Sequence, residues 1–386
     1  MEAARIKRHV KIVCTLGPAS SSAVMIKKLL LAGMDIVRLN LNYGTLAEHA
    51  EIVKTVRKLS DELDLQTGVL LDCPGLKKYP DATFEQAFKE HLQFARDNDV
   101  DFAALSFISS SEQVASVRRL LDSMRFSVPL IVKIEKDGAL QDSERIISIG
   151  DGIMVARGDL AIQISIEKVP LAQKKLIKGA NQCGKPVITA TQMLESMVKS
   201  PTPTRAEATD IANAVLDGTD ALMLSEETSI GKYPVVAVET MVKIAMEAET
   251  AFPHLERLRA AYLSSINEVN DATARAACQI ADQIGAKAVV AFTAGGTTAL
   301  RVAKYRPSQP IITVTPSAAV RRKLSVVWGV HAALRPEPGT LEELFEVAVE
   351  VAQNAACVNK GDCLVLTAGV PLMVPGSTNL VKVHVV

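Results

Sequence analysis

A (β/α)₈ barrel followed by a smaller open-sheet α/β domain is the fold class that this sequence predicts. Eight short, β-branched apolar runs each precede a helical pattern, over about 250 residues, the usual span of such a barrel. The alternation holds without the composition change expected if a doubly wound sheet were extended to eight units. A second, shorter αβ series then begins, too short for another barrel. The expected domains are 1–252, the barrel, and 253–386, the open sheet.

The first strand is Val10–Gly17, closed by Gly-Pro, and the serines at 20–22 offer N-caps for a helix to Leu31. Gly33 ends that helix before the second strand, Asp35–Leu41. A polar helix over 45–64 leads to the Leu-rich third strand, Thr67–Cys73, and a helix over 84–97 leads to the fourth, Phe102–Ile108. The helix 111–124 precedes the fifth strand, Pro129–Glu135. A helix near 138–149 precedes the sixth, Gly152–Asp159, and an amphipathic helix over 167–183 the seventh, Pro186–Gln192. The helix 205–216, the eighth strand Ala221–Glu227 and the helix 233–248 complete the ring. After a surface helix and connector over 255–268, the second series places strands at 288–292, 310–314, 330–334, 362–367 and 380–386. Helices over 270–284, 297–305, 317–327 and 340–358 separate them.

The composition excludes several functions. Formal net charge is zero, from 43 basic and 43 acidic residues, so no electrostatic footprint points to nucleic acid or an anionic membrane. No uncharged apolar run is long enough to span a bilayer. The basic start has no apolar stretch behind it, which argues against a secretory signal. Six dispersed cysteines without a CxxC pair read as reduced thiols, and six scattered histidines argue against a zinc site. A cytoplasmic protein is expected.

The chemistry is expected in the fifth strand. Leu130, Ile131, Val132 and Ile134 form a run suited to burial on both faces, yet Lys133 interrupts it and Glu135 ends it. Period two points both charges the same way, roughly 7 Å apart along the strand. A buried ammonium or carboxylate is expensive unless paired with another charge, a metal or a ligand. Other expected strand ends carry Arg38 and Asn40, Asp72, Ser106, Asp159, Thr191 and Glu227, and barrels place function there. Glu135, Asp159 and Asp72, with no clustered His or Cys, suit a hard cation, Mg²⁺ or Mn²⁺. Arg38 and Lys133 suit an anionic substrate. Arg157-Gly-Asp would bring backbone N–H groups to an anion, or is a plain tight turn. No P-loop and no GxGxxG opening a helix are present.

These residues lie in segments that resemble the pyruvate kinase family. They include Lys11-Ile-Val-Cys-Thr-Leu-Gly-Pro-Ala-Ser, Gly33-Met-Asp-Ile-Val-Arg-Leu-Asn, Lys133-Ile-Glu and Asp151-Gly-Ile-Met-Val-Ala-Arg-Gly-Asp-Leu. Ile188-Thr-Ala-Thr-Gln-Met-Leu-Glu-Ser-Met, Pro203-Thr-Arg-Ala-Glu and Val374-Pro-Gly-Ser-Thr-Asn extend the resemblance over nearly the whole chain. The resemblance implies that Lys133 is the key cation at the transferring phosphoryl group and enolate, and that Arg38 binds the phosphate. Glu135 and Asp159 would hold Mg²⁺, or Mn²⁺, and the Gly158 and Asp159 amides the substrate carboxylate. Thr191 would lie beside the path of proton delivery. Phosphoenolpyruvate and ADP are the implied substrates, and a homo-oligomer, a tetramer, the implied assembly.

The departures are as informative. In the family a small β-barrel lid of roughly a hundred residues follows the third strand. Here Asp72-Cys-Pro-Gly-Leu-Lys-Lys-Tyr runs through Pro80-Asp-Ala-Thr into the helix at Phe84, with Cys73 for the family's threonine and Tyr79 for its arginine. Asn42 and Tyr43 replace the Ser-His of Asn-x-Ser-His-Gly, and Glu226 stands for the commoner glycine. For a monovalent cation, Asn40, Asn42 and Asp72 offer oxygens to K⁺, while Lys77 falls where a lysine accompanies potassium independence; an ammonium there would supply the same charge, and no K⁺ requirement is the favoured expectation. The loop Thr293-Ala-Gly-Gly-Thr-Thr resembles the family's site for a phosphorylated effector, with Gly295 replacing its serine. Thr293, Gly295, Gly296, Thr297 and Thr298 are either that site or a simple strand-to-helix turn.

The expected function is therefore a lidless pyruvate kinase. Two alternatives use the same residues differently: a metal-dependent enzyme forming a pyruvate enolate, such as an oxaloacetate decarboxylase, and a catalytically degenerate regulatory subunit.

Overall fold

The structure, a computed structural model, describes residues 6–75, 84–262, 268–355, 357–371 and 376–386. The chain divides into two compact units, one of Lys11–Ala248 and one joining the segment up to Val10 with Glu249–Val386. In the first unit β1 (Lys11–Thr15), β2 (Ile36–Asn40), β3 (Gly68–Cys73), β4 (Phe102–Leu105), β5 (Leu130–Ile134), β6 (Gly152–Ala156), β7 (Val187–Ala190) and β8 (Ala221–Leu224) follow one another. They close into a parallel barrel in chain order, β8 pairing back onto β1 through Lys11↔Ala221 to Cys14↔Leu224. Every residue of these strands is buried except Asn40. This double-sided burial explains the apolar runs: side chains pointing inward fill the barrel and those pointing outward meet helices.

The helices of the ring begin where polar caps allow. Ser22 caps α1 (Ala23–Ala32) by accepting the Met25 N–H. Thr45 and Glu48 form a reciprocal capping box at α2 (Leu46–Glu62). Then come α3 (Phe84–Asp97), α4 (Ser111–Ser123), α5 (Asp137–Gln141), α6 (Ser143–Ile149), α7 (Arg157–Gln163), α8 (Val169–Gln182), α9 (Arg205–Asp217), α10 (Glu226–Ser229) and α11 (Pro234–Glu249). A second capping box, Thr204 with Glu207, starts α9.

Several strands stop earlier than the apolar pattern suggests. The sixth ends at Ala156 instead of Asp159, because its ladder with β7 runs out at Ala156↔Ala190. Beyond that pair Thr191 turns into left-handed backbone, φ 70°, and Arg157-Gly-Asp begins α7. The eighth ends at Leu224, so Glu227 lies on the short helix α10.

The amino-terminal ends of the strands share a device that the sequence pattern hides. Asp35, Asp101, Asp151 and Asp220 stand immediately before β2, β4, β6 and β8. Each carboxylate accepts a backbone N–H of the preceding strand, from Ile12, Val69, Leu130 and Val187 at 2.8, 2.8, 2.8 and 3.0 Å. Each aspartate's own N–H returns a bond to that same residue's carbonyl. Four times around the ring, then, an aspartate satisfies a buried donor that would otherwise have no partner at the barrel floor. Arg57 and Arg118 hold two of the four carboxylates, at Asp101 (2.8 Å) and Asp151 (2.7 Å).

In the other unit β9 (Ala288–Phe292), β10 (Ile311–Thr315), β11 (Val330–Leu334), β12 (Cys363–Gly369) and β13 (Thr378–Val385) form a sheet in the order β11-β10-β9-β12-β13. All pairs are parallel except β12 with the edge strand β13. The helices are α12 (His254–Tyr262), α13 (Val269–Gln283), α14 (Thr297–Lys304), α15 (Ala318–Lys323) and α16 (Leu341–Asn354). One face of the sheet is covered by Leu344, Ala348 and Val351 of α16 over Val290, Ile312 and Leu366. Among the described residues no helix is long and apolar enough to cross a membrane.

Removing one floor aspartate tests its share of barrel stability. Asp101→Ala deprives the Val69 N–H and the Arg57 guanidinium of their acceptor, so the unfolding free energy should fall by about 1–3 kcal/mol. Urea unfolding followed by circular dichroism measures it, with the exposed Glu51→Ala as a control expected near zero.

Candidate active site

The carboxyl ends of β1 to β5 bring together a buried set of opposite charges. Lys133, on β5, faces the barrel mouth, and its Nζ lies 2.8 Å from Glu135 Oε1 and 3.2 Å from Asp72 Oδ2. It also donates to Ser106 Oγ at 2.9 Å. Asp72, the penultimate residue of β3, takes two bonds from Arg38 on β2, through Nε at 2.9 Å and Nη2 at 2.7 Å, all on Oδ2. Its other oxygen accepts from Ser106 at 2.9 Å. Arg38 Nη1 donates to Thr15 Oγ at the end of β1, 2.8 Å away. Five neighbouring strands therefore supply one network of two cations and two carboxylates. Asp72 and Glu135 are each 1% exposed, Arg38 and Lys133 each 8%.

Burial at this depth disfavours isolated charge, and the pairing decides the outcome. Burial alone would lower the Lys133 pKa, but the Asp72 and Glu135 carboxylates overrule it and raise the value, so the ammonium persists. Asp72 is pulled the other way: against burial, the Lys133 and Arg38 charges hold its carboxyl well below the ordinary range. Glu135 differs. Burial pushes its pKa up, and neither Lys133 nor the Phe107 N–H, which donates to Oε2 at 2.6 Å, fully offsets that. Its Oε1 has no directed hydrogen bond, only the Lys133 ammonium. Phe107 is itself in left-handed backbone, φ 62°, unusual for an aromatic residue.

A second cluster forms where β6 and β7 end. Gly158, in the first turn of α7, donates its N–H to Thr191 Oγ1 at 2.8 Å. A Cβ on Gly158 would only reach van der Waals contact with that oxygen, at 3.4 Å. Thr191 Oγ donates in turn to the Ala190 carbonyl at 2.6 Å. Asp159, half-buried, follows in the same first turn, where unpaired helix N–H groups favour negative charge. Ile134 and Val155 are in register on β5 and β6, so Glu135 and Asp159 extend from adjacent strand ends.

The remaining expected residues take more varied places. Asn40 Oδ1 is engaged by the Asn42 N–H and side-chain amide, both at 3.1 Å. Lys77 lies outside the described residues. Glu227 caps the Ser225 and Leu194 amides at 2.7 and 3.1 Å, a structural use of a residue expected at a strand end. Among the described residues no group of three His, Cys, Asp or Glu is placed to hold a metal. Glu135 and Asp159 are the carboxylates here that could serve Mg²⁺, which commonly takes one or two carboxylates and completes its shell with water and substrate oxygens. The Thr293–Thr298 loop follows β9 and lines an open surface pocket, with Arg335 and Gly376 also on its wall.

Thr15, Phe107 and Arg157 were not legible as site residues. Thr15 at the end of β1 carries the same signal as Arg38 and Asp72, a polar group closing an apolar run. Nothing in the sequence marks a phenylalanine for left-handed backbone.

Comparison with known proteins places the chain in a family. The pyruvate kinase barrel-domain family model matches residues 7–83 and 78–238, and the pyruvate kinase alpha/beta-domain model matches 271–384. The pyruvate kinase of Geobacillus stearothermophilus is 36% identical, over 99% of this chain and 81% of the relative. That of Sporosarcina psychrophila is 35% identical, over 98% and 80%, and pyruvate kinase 2 of Synechocystis 35% identical, over 100% and 80%. The first alignment runs over 474 positions against a chain of 386 residues, and the two barrel-domain matches meet at 78–83. The stretch that the relatives carry and this chain lacks thus falls between β3 and α3, where the lid is expected. With its closed eight-stranded barrel, its five-stranded second sheet and family matches along nearly all its length, the chain belongs to the pyruvate kinase family.

Proposed function

We propose that this protein catalyses phosphoryl transfer between phosphoenolpyruvate and ADP, giving pyruvate and ATP, as a lidless pyruvate kinase. The observation that carries the reading is the Lys133 ammonium, buried at the barrel mouth and held charged between Asp72 and Glu135. Phosphoryl transfer depends on fixed cations at the oxygens where charge develops more than on a protein nucleophile.

Lys133 supplies that cation. Its contacts are Asp72, Ser106 and Glu135; turning to a phosphoryl oxygen means leaving one, and Glu135 is the one with another role. Glu135 and Asp159 would hold the divalent metal, which when bound supplies Lewis-acid charge to the phosphoryl and enolate oxygens. Arg38 uses three of its five N–H groups on Asp72 and Thr15, leaving two for the phosphate. The substrate carboxylate would take the Gly158 amide from Thr191 Oγ, an exchange of one acceptor for another that frees the hydroxyl beside the enolate. Both Asp72 oxygens are already engaged by Arg38, Ser106 and Lys133. We therefore read the site as needing no K⁺.

Two further readings concern the rest of the molecule. The pocket at Thr293, Gly295, Gly296, Thr297 and Thr298 suits a phosphorylated effector, because α14 starts there and Gly296, φ 91°, turns the chain into it. Ile162, Ile166 and Leu171, 81%, 76% and 70% exposed, give the barrel unit an apolar surface that a homo-oligomer would cover.

Coupled assays test the proposal. Turnover of phosphoenolpyruvate should require both ADP and Mg²⁺; turnover of oxaloacetate alone, with none of phosphoenolpyruvate, would replace it with the decarboxylase alternative. Lys133→Met should lower kcat by about 10²–10³-fold, the loss typical of one transition-state charge donor. A folded variant with near-normal kcat would remove Lys133 from the mechanism.

Glu135→Gln and Asp159→Asn should each raise the Mg²⁺ concentration needed for half-maximal rate, and weaken Mn²⁺ binding read by electron paramagnetic resonance. An unchanged titration in both would show that they do not share an ion.

The missing lid bears on ADP more than on phosphoenolpyruvate, whose contacts all belong to the barrel. A covering domain ordinarily excludes water and adds nucleotide contacts. A high KM for ADP, low turnover and some release of inorganic phosphate without ADP are expected, while the KM for phosphoenolpyruvate stays in the ordinary micromolar-to-millimolar range. Steady-state kinetics with a parallel phosphate-release assay decide it; tight ADP saturation with no uncoupled phosphate would mean that something other than a lid closes the site.

A further inference from the structure

Arg157 is buried beside the candidate site, and every one of its donors is spent on protein. Its Nη2 donates to the carbonyls of Thr191 at 2.6 Å and Gln192 at 3.2 Å, and lies 2.7 Å from Met193 Sδ. Nε reaches the same Thr191 carbonyl at 3.3 Å. Nη1 bonds Asp210 of α9 at 2.5 Å and Gln173 of α8 at 3.4 Å. A guanidinium has five N–H groups, and none here is left for a substrate.

What these bonds hold is an unfavourable piece of backbone. Thr191 and Gln192 are consecutive residues in left-handed conformation, φ 70° and 54°, which L-residues avoid and β-branched threonine most of all. Such backbone persists only where the surroundings over-determine it. Here they do so from several sides: Arg157 on the 191 and 192 carbonyls, Glu227 on the Leu194 N–H, and Glu207 on the N–H and Oγ of Ser196 at 2.7 and 2.6 Å. Thr191 is moreover held at both ends by consecutive residues. The Arg157 side chain takes its carbonyl, and the Gly158 N–H takes its hydroxyl.

We propose that Arg157 is a positioning residue for the protonation of the enolate: it holds the left-handed turn at 191–192 so that the Thr191 hydroxyl stands at the proton-delivery side of the site. The inference rests on the proposed place of Thr191 in the reaction. The step served is addition of a proton to the enolate carbon as its oxygen regains the carbonyl double bond, and Arg157 touches neither atom.

The direct readout is exchange of the pyruvate methyl protons for solvent deuterium, followed by proton NMR with Mg²⁺ present, beside phosphoryl transfer to ADP. Arg157→Gln should slow exchange by about 10²-fold, the scale of a displaced catalytic group, and leave the KM for phosphoenolpyruvate little changed. Gln192 is exposed, and Gln192→Gly relieves the strained turn without touching the site. Added to Arg157→Gln it should recover roughly tenfold, since left-handed backbone is the conformation that glycine accepts without penalty. Absence of that recovery, or a loss expressed in KM instead of exchange, overturns the proposal. Amide deuterium uptake over 191–198 in the unliganded protein separates the clamp from the chemistry. Unchanged protection in Arg157→Gln defeats the clamp whatever the activity. Full exchange in Thr191→Val beside an opened loop in Arg157→Gln instead defeats the reading of Thr191, and with it the proton role. Should Arg157→Gln fail to fold, Asp210→Asn loosens the same guanidinium and should show a smaller loss with the same recovery; no loss in that variant overturns the proposal.

Discussion

Asp72 is the constraint on which the mouth of the barrel depends. A buried carboxylate there is tolerable only because Arg38 meets it from the neighbouring β2, Lys133 reaches it from β5, two strands away, and Ser106 donates to its other oxygen. In return it fixes where both cations stand. Arg38 is locked with its plane toward Asp72 and Thr15, and Lys133 is kept charged at a depth where a lone amine would give up its proton. Glu135 completes neutrality, two cations against two carboxylates, and it is the member least satisfied by protein alone. The site is thus organised before any ligand arrives, which is the condition for electrostatic stabilisation without reorganisation during reaction.

The two ends of the barrel use carboxylates for opposite purposes. At the floor, Asp35, Asp101, Asp151 and Asp220 each close a strand pair through backbone amides. They spend their charge on hydrogen bonds that finish the ladder. At the mouth, Asp72 and Glu135 face side-chain cations, and Asp159 stands at a helix start. The floor residues are fixed by main chain and resist displacement. The Lys133–Glu135 contact is between side chains and can be exchanged for a ligand. Stability and function are thereby separated along the barrel axis.

Much of this was legible in the sequence, for identifiable reasons. The eight strands were visible because double-sided burial leaves runs of apolar residues that water-facing segments do not carry. Lys133 stood out as a charge inside such a run, and Arg38 and Asp72 as charges near the ends of others. Three things were not legible. The floor aspartates precede their strands and look like ordinary turn residues; only the register reveals that each reaches back to the preceding strand. Strand ends were overestimated at Asp159 and Glu227, because polar residues after an apolar run fit an extended segment or a helix start equally well, and the neighbouring ladder decides. The left-handed turns at Phe107, Thr191 and Gln192 carry no glycine or asparagine to announce them. They are hydrogen-bonded to Glu135 and Arg157, residues distant in sequence, and local propensity cannot report a long-range contact.

The loss of the lid is compatible with an intact barrel for a topological reason. A domain inserted between β3 and α3 contributes no strand to the ring, so its removal leaves β3 paired with β2 through Ile36↔Gly68 to Asn40↔Asp72 and with β4 through Leu70↔Phe102 to Cys73↔Leu105. The desolvation of the charged cluster does not depend on the lid either. Asp72 and Glu135 are 1% exposed in a chain that has none, because the strand ends, the Phe107 turn and the neighbouring side chains already cover them. What a lid adds to such a site is enclosure of the reacting phosphoryl group and of a second substrate above it, not the buried charges beneath. The division falls within the reaction itself. On the proposed reaction, the enolate half, with its cation, its carboxylates and the strained turn at Thr191, draws on barrel strand ends, and the nucleotide half is the part that a lid would enclose.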